Sequence, residues 1–80
     1  MDLNISMTTT IYIPLLNEGT PVSRPTEGKL VSGRIYEVIA TDDYDSDLEE
    51  WEFPPGTTVE CKIEIEDGKE FLKAVRRVDV

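Results

Sequence analysis

Residues 57–66 read Thr-Thr-Val-Glu-Cys-Lys-Ile-Glu-Ile-Glu, with Val59, Cys61, Ile63 and Ile65 alternating with Glu60, Lys62, Glu64 and Glu66. Successive strand side chains point to opposite faces, so this period of two predicts a strand with the apolar set inward and the charged set outward. Asp67-Gly68 follows. Both residues tolerate the positive φ that a type I′ turn demands, which makes the pair a two-residue hairpin signal. If Glu66 pairs with Lys69, then Ile63 faces Leu72 and Cys61 faces Ala74, and both apolar sets share one face. Phe71 then falls on the outer face, where strong curvature or a neighbouring loop must cover it.

Upstream, residues 8–16 are β-branched and aromatic, with Ile11, Ile13 and Leu15 on one alternating face. This predicts a first strand whose end, at Pro14, is an edge or bulge because proline lacks a ladder donor. Asn17-Glu18-Gly19-Thr20-Pro21 predicts a turn, and the Pro-bounded stretch through Val22, Arg24 and Pro25 a loop with a short strand. Leu30 and Val31 lead into a Ser32-Gly33 turn. Residues 34–40 carry Tyr36, Val38 and Ala40 on one face and Ile35, Glu37 and Ile39 on the other, as a central strand does.

No window shows a 3.6-residue period and no internal repeat is present. The predicted fold is all-β, a small, strongly bent antiparallel SH3-like β-barrel of five or six short strands, because closure removes edges that so short a sheet has no other means to cover. One domain over residues 8–80 is expected, behind a disordered leader at residues 1–7. A chain of 80 residues buries only roughly 60–65% of the surface its unfolded form exposes, too little for a second core.

Charge changes the picture most. Acidic side chains number 17 against 8 basic ones, for a net charge of −9, and seven of the acids lie between Asp42 and Glu52 with no base among them. Phosphate backbones are bound through Lys and Arg, so nucleic acid is disfavoured as a direct ligand, and a basic protein fits better. The blander account of the same acids is solubility. An acid near the N-terminus and the absence of an apolar run of roughly 18–20 residues argue against a signal peptide and a membrane span. A lone Cys61 forms no internal disulfide, which favours a reducing, cytoplasmic location.

The acidic stretch divides in two. Asp43, Asp45 and Asp47 match the first, third and fifth ligand positions of an EF-hand loop, but Leu48, Glu50 and Pro54 then stand where Gly, an apolar residue and a bidentate Glu are required. No metal site and no cofactor is therefore expected. In Glu50-Trp51-Glu52-Phe53 the two rings share one side and fasten the segment to the domain, and Pro54-Pro55-Gly56 supplies a type II turn into the strong strand. Residues 42–49 are expected to be a solvated, self-repelling loop and residues 50–56 an anchored arm. Tyr44 and Trp51 among carboxylates suit recognition of a cationic partner, although Trp51 equally suits a core position.

Other chemistry is sparse. Without His the usual general base and metal imidazole are missing. Cys61 between Val59 and Ile63 reads as a small hydrophobe, and Glu64 with Glu66 as a solvated strand face. Arg76 and Arg77 read as surface charges beside Asp79. No catalytic residue is assigned and no enzyme is expected.

The residues Tyr12-Ile13-Pro14-Leu15-Leu16-Asn17-Glu18-Gly19-Thr20, Val22, Arg24-Pro25, Tyr36, Tyr44-Asp45 and Glu50-Trp51-Glu52-Phe53-Pro54-Pro55-Gly56, with Val59 and Cys61, resemble a group of short bacterial proteins. That group shares a "VPLLNEGT…V.RP…YD…WEFPPG..V.C" pattern and carries no established activity. The resemblance spans residues 11–61 and implies a bacterial, self-contained small domain. The chain departs from the pattern at Ser23, where an aromatic is expected, and at Thr26, where an apolar residue is expected. The resulting expectation is a monomeric, non-enzymatic domain that docks on a protein partner through Asp42, Asp43, Tyr44, Asp45, Asp47, Trp51, Asn17 and Glu18. Alternatives are an acidic antagonist of a basic partner (an immunity protein or nucleic-acid mimic) and an accessory subunit of an enzyme.

Overall fold

A computed structural model describes residues 8–79, and the expected disordered leader lies outside the described residues. The strands are β1 (Thr8–Leu16), β2 (Ser23–Ser32), β3 (Ile35–Ile39), β4 (Glu50–Trp51), β5 (Thr58–Glu66) and β6 (Lys69–Arg77). They run in the order β2-β3-β5-β6-β1, and β1 pairs back onto β2, so five strands close a ring while β4 adds to β1. The ring corrects the antiparallel expectation at one seam: β1 and β6 pair parallel, Ile11 with Leu72 and Tyr12 with Lys73, because each antiparallel step reverses direction and an odd number of strands closes only with one parallel pair. The chain is all-β over the described residues, and among these no helix is long and apolar enough to cross a membrane.

The β5–β6 hairpin has the register that its alternation and turn demand. Glu66 pairs with Lys69, Ile63 with Leu72 and Cys61 with Ala74, and Asp67 and Gly68 have φ of 52° and 77°. A register shift between Glu60 and Cys61 then lets Glu60 face Arg76, whose guanidinium pairs with its carboxylate. The inward face of β5 divides, however. Val59 and Cys61 are buried, whereas Ile63 and Ile65 are exposed, because this end of the hairpin runs past the ring. Phe71 is half-buried under the Tyr12 ring of β1, which meets it edge to face at 5.2 Å between centroids and takes the covering role expected of curvature or a loop.

β2 differs from its expectation as a loop with a short strand. It is ten residues long and pairs with β1 on one side and β3 on the other. Pro25 is compatible with this because of its place in the ladder. The Leu15 N–H donates to the Val22 carbonyl at 2.9 Å, and counting along the antiparallel register puts Pro25 opposite Tyr12 at a rung whose amide would face away from β1. Pairing with β3 starts only at Glu27, so no ladder hydrogen bond is lost. Pro14 obeys the same logic. Its nitrogen faces the gap where β1 leaves β6 at Tyr12 and takes up β4 at Leu15.

Ile11, Ile13, Val38, Trp51, Phe53, Val59, Cys61 and Ala74 form the core, drawn from every strand but β2 and from the residues after β4. β2 contributes small groups instead, Gly28 against Ile11 and buried Thr26. Where an apolar residue is expected, the Thr26 hydroxyl donates to the Ile39 carbonyl, so its polar atom is satisfied on entering the core.

Candidate interaction surface around Tyr44

The arm at residues 50–56 hangs on the end of β1. Leu15 pairs with Trp51 and Leu16 with Glu50, and the Glu52 N–H donates to the Pro14 carbonyl at 2.9 Å. Alternation sends Trp51 and Phe53 into the core, where Trp51 is only 4% exposed. The Thr57 N–H donates to the Pro54 carbonyl at 3.1 Å and closes the expected turn into β5. Trp51 is therefore an anchor of the arm, and Tyr44 is the aromatic of this region that reaches the surface.

The loop is solvated at Asp42, Asp43, Asp45, Ser46, Asp47 and Leu48, while Tyr44 ties it to the core. Its ring packs edge to face on Trp51 at 4.6 Å, and it joins the core as a partly buried neighbour. Around it the loop is tied at several points. The Thr41 hydroxyl donates to Asp43 Oδ1 at 2.8 Å, and the Asp47 N–H donates to Asp45 Oδ1 at 2.8 Å. The Leu48 and Glu49 amides both donate to the Asp45 carbonyl, at 3.0 and 3.1 Å, so residues 45–49 make a single helical turn capped by Asp45. The turn lifts Leu48 into solvent at 78% exposure.

Glu49 joins the loop to the ring. Its carboxylate pairs with the Arg24 guanidinium of β2, and its Oε1 accepts from the Trp51 indole N–H at 3.2 Å. The hydrogen bond from Arg24 holds the Glu49 carboxyl below its ordinary value, with help from Trp51, and the same contact raises Arg24. Asp43 is also held low, first by the Thr41 hydroxyl and then by its own amide.

Arg24, Asp43, Tyr44, Asp45, Leu48 and Trp51 are among the residues lining a cleft of about 190 Å³. Ligand pockets for cofactors run to roughly 300–1,000 Å³, so this cleft is smaller than a cofactor site. Among the described residues no three His, Cys, Asp or Glu side chains stand together as a metal cage.

Of the residues singled out in the sequence, Asp43, Tyr44, Asp45 and Trp51 meet at the cleft. Asn17 lies beside it, with φ of 61° after β1 and its Nδ2 donating to Glu50 Oε1 at 2.6 Å. Glu18 is close enough to Arg24 to add to its positive bias, while Asp42 and Asp47 are exposed and do not line the cleft. Arg24, Thr41, Leu48 and Glu49 were not singled out. For Leu48 a signal exists, since it is the sole aliphatic side chain between Asp42 and Glu52. Arg24 is part of the Arg24-Pro25 block of the resemblance, but its pairing with Glu49 is not legible there because the two lie 25 residues apart.

Comparison with known proteins returned no matching family model, no matching curated protein and no matching solved structure.

Proposed function

We propose that this chain is a non-enzymatic protein-interaction domain of the bacterial cytoplasm, built on a small SH3-like barrel, whose acidic loop docks on a basic protein surface. The observation that carries this reading is the placement of Leu48, 78% exposed on a hydrogen-bonded turn at a cleft shared with Asp43, Tyr44 and Asp45. An apolar projection inside a charged rim has the makeup of a small interface, in which the apolar centre supplies affinity and the rim supplies selectivity and encounter rate. Ion pairs among the described residues are Arg24–Glu49 and Arg76–Glu60. Asp42, Asp45, Asp47, Glu50 and Glu52 thus form no ion pair within the chain and offer their charge to a partner, while Asp43 shares the field of Arg24.

The closed ring of five strands supports the barrel reading, and the resemblance over residues 11–61 supports the bacterial one. The lack of His and the desolvated thiol of Cys61 support a binding role over a catalytic one. The same unpaired carboxylates also favour a second reading, an acidic antagonist that blocks a basic site in the manner of an immunity protein or nucleic-acid mimic.

Capture from bacterial lysate separates the two. The bait is wild type, a variant with Asn at positions 42, 43, 45 and 47, and Leu48→Ala, each at low and high salt. A partner held by wild type and lost by both variants supports the docking domain. Loss only in the Asn variant, with steep salt dependence, selects the antagonist. Equal capture by all three overturns the loop as the working surface.

A further inference from the structure

Strand β5 outruns the strand beside it. Its neighbours are β3 and β6, and its last rung with β3 joins Glu60 to Ile35, after which the Cys61 N–H donates to the Arg34 carbonyl at 2.8 Å. β3 there gives way to the turn that leads back to β2, whereas β5 continues to Glu66. In a two-residue hairpin the residues flanking the turn bond to each other, so Glu66, Glu64 and Lys62 direct their backbone groups to β6. The N–H and C=O groups of Ile63 and Ile65 point to the other side, the side of the Cys61–Arg34 bond. Among the described residues no backbone group meets them.

The side chains share this lack of partners. Ile63 is 41% and Ile65 70% exposed, although both continue the face that buries Val59 and Cys61. Ile63 lines an open cavity of about 670 Å³ together with Arg34, Tyr36, Phe71 and Leu72. A sheet edge with free backbone groups and bare β-branched side chains is a template for strand addition.

We propose that this edge joins two copies of the chain, β5 pairing antiparallel with β5 of a second copy about a two-fold axis at Glu64. In this register Ile63 lies opposite Ile65, Lys62 opposite Glu66, and Glu64 opposite itself. Every free N–H and C=O of Ile63 and Ile65 is then bonded, and the two Lys62–Glu66 juxtapositions attract. Ile65 of the second copy enters beside Ile63, toward the cavity that Tyr36 lines. Neighbouring registers are worse. With Ile65 opposite itself, Glu64 meets Glu66 twice. With Ile63 opposite itself, Ile65 meets Cys61, whose amide is already committed to Arg34. The contact is isologous, as a closed two-fold dimer requires. Glu64 facing itself opposes association and keeps it reversible.

Sedimentation equilibrium over a wide concentration range tests the pairing, in place of the monomer expected from the sequence. The expected result is a concentration-dependent dimer, abolished by Ile65→Lys, weakened roughly tenfold by Lys62→Glu and strengthened by Glu64→Gln. Ile65 is exposed, so Ile65→Lys keeps the wild-type circular dichroism. Glu64→Cys is expected to form an intermolecular disulfide under mild oxidation, since directly opposed strand positions bring the two Cβ atoms within bridging reach. A monomer at every concentration, for wild type and Glu64→Gln alike, overturns the proposal. So does a dimer indifferent to Ile65→Lys. Exchange protection of the Ile63 and Ile65 amides that is independent of concentration also overturns it, because the edge is then covered from within one chain.

Discussion

The Tyr44 ring stands edge-on to the Trp51 indole, with centroids 4.6 Å apart and planes inclined at 71°. One residue belongs to the acidic loop and the other to the core, so this contact fixes where the loop sits. Edge-to-face pairs contribute about 0.5–1.5 kcal/mol beyond the area they bury. Tyr44→Ala is expected to lower unfolding free energy by about 1–2 kcal/mol and to shift Trp51 emission to the red. Tyr44→Phe keeps the ring and is expected to stay within about 0.5 kcal/mol of wild type in denaturant melts.

Glu49 gives the loop an acid limit. Arg24 holds its carboxyl below the ordinary value of 4.5, so its contribution is fully present above that pH and disappears as pH falls through the lower, folded value. Asp43, held below 3.8 by Thr41, acts in the same direction. Trp51 is the one tryptophan of the chain and its indole N–H donates to the Glu49 carboxylate, so its fluorescence reports the step. A midpoint below 4.5 is expected in wild type, with no corresponding step in Glu49→Gln. Arg24→Met is expected to move the midpoint up toward the ordinary value.

Gly28 sits where a side chain has no room. A Cβ there would lie 2.9 Å from both Cδ1 and Cγ2 of Ile11, which is fully buried in the core. Gly28→Ala is therefore expected to destabilise by about 1–3 kcal/mol. Ile11→Val removes one of the two clashing methyl groups, so the double variant is expected to lose less than the sum of the single losses.

Burial pushes the Cys61 thiol up to about 11, which leaves it protonated and unreactive at neutral pH. Alkylation of the folded protein is expected to be slow and to accelerate with denaturant in step with global unfolding. Rapid labelling of the native chain would contradict the buried position on β5.

Local periodicity carries the hairpin from its turn to the Cys61–Ala74 rung. Asp67-Gly68 and the alternation on either side determine turn, register and the pairing of Cys61 with Ala74, because all the relevant forces act between residues close in sequence. β2 was hidden for the opposite reason. Its inward positions are Thr26 and Gly28, which leave no hydrophobic period to read, and its strand character comes from bonds to β1 and β3. Ile63 and Ile65 show the limit of alternation, which reveals which residues share a face but not how far the ring covers that face. The loop shows it again. Seven carboxylates in a short stretch read as solvation, yet the groups that order them are Arg24 on β2 and Trp51 in the core.

Residues 43–49 form a hydrogen-bonded turn held on Trp51 through Tyr44 and Glu49, an ordered surface in place of a loose tether. Backbone ¹⁵N relaxation measures this directly. Order parameters near about 0.85, matching those of the β5–β6 rungs, are the expected result for Asp43 to Glu49, with a fall toward about 0.6 in Tyr44→Ala. Values below about 0.6 across the same residues in the wild-type protein would contradict it.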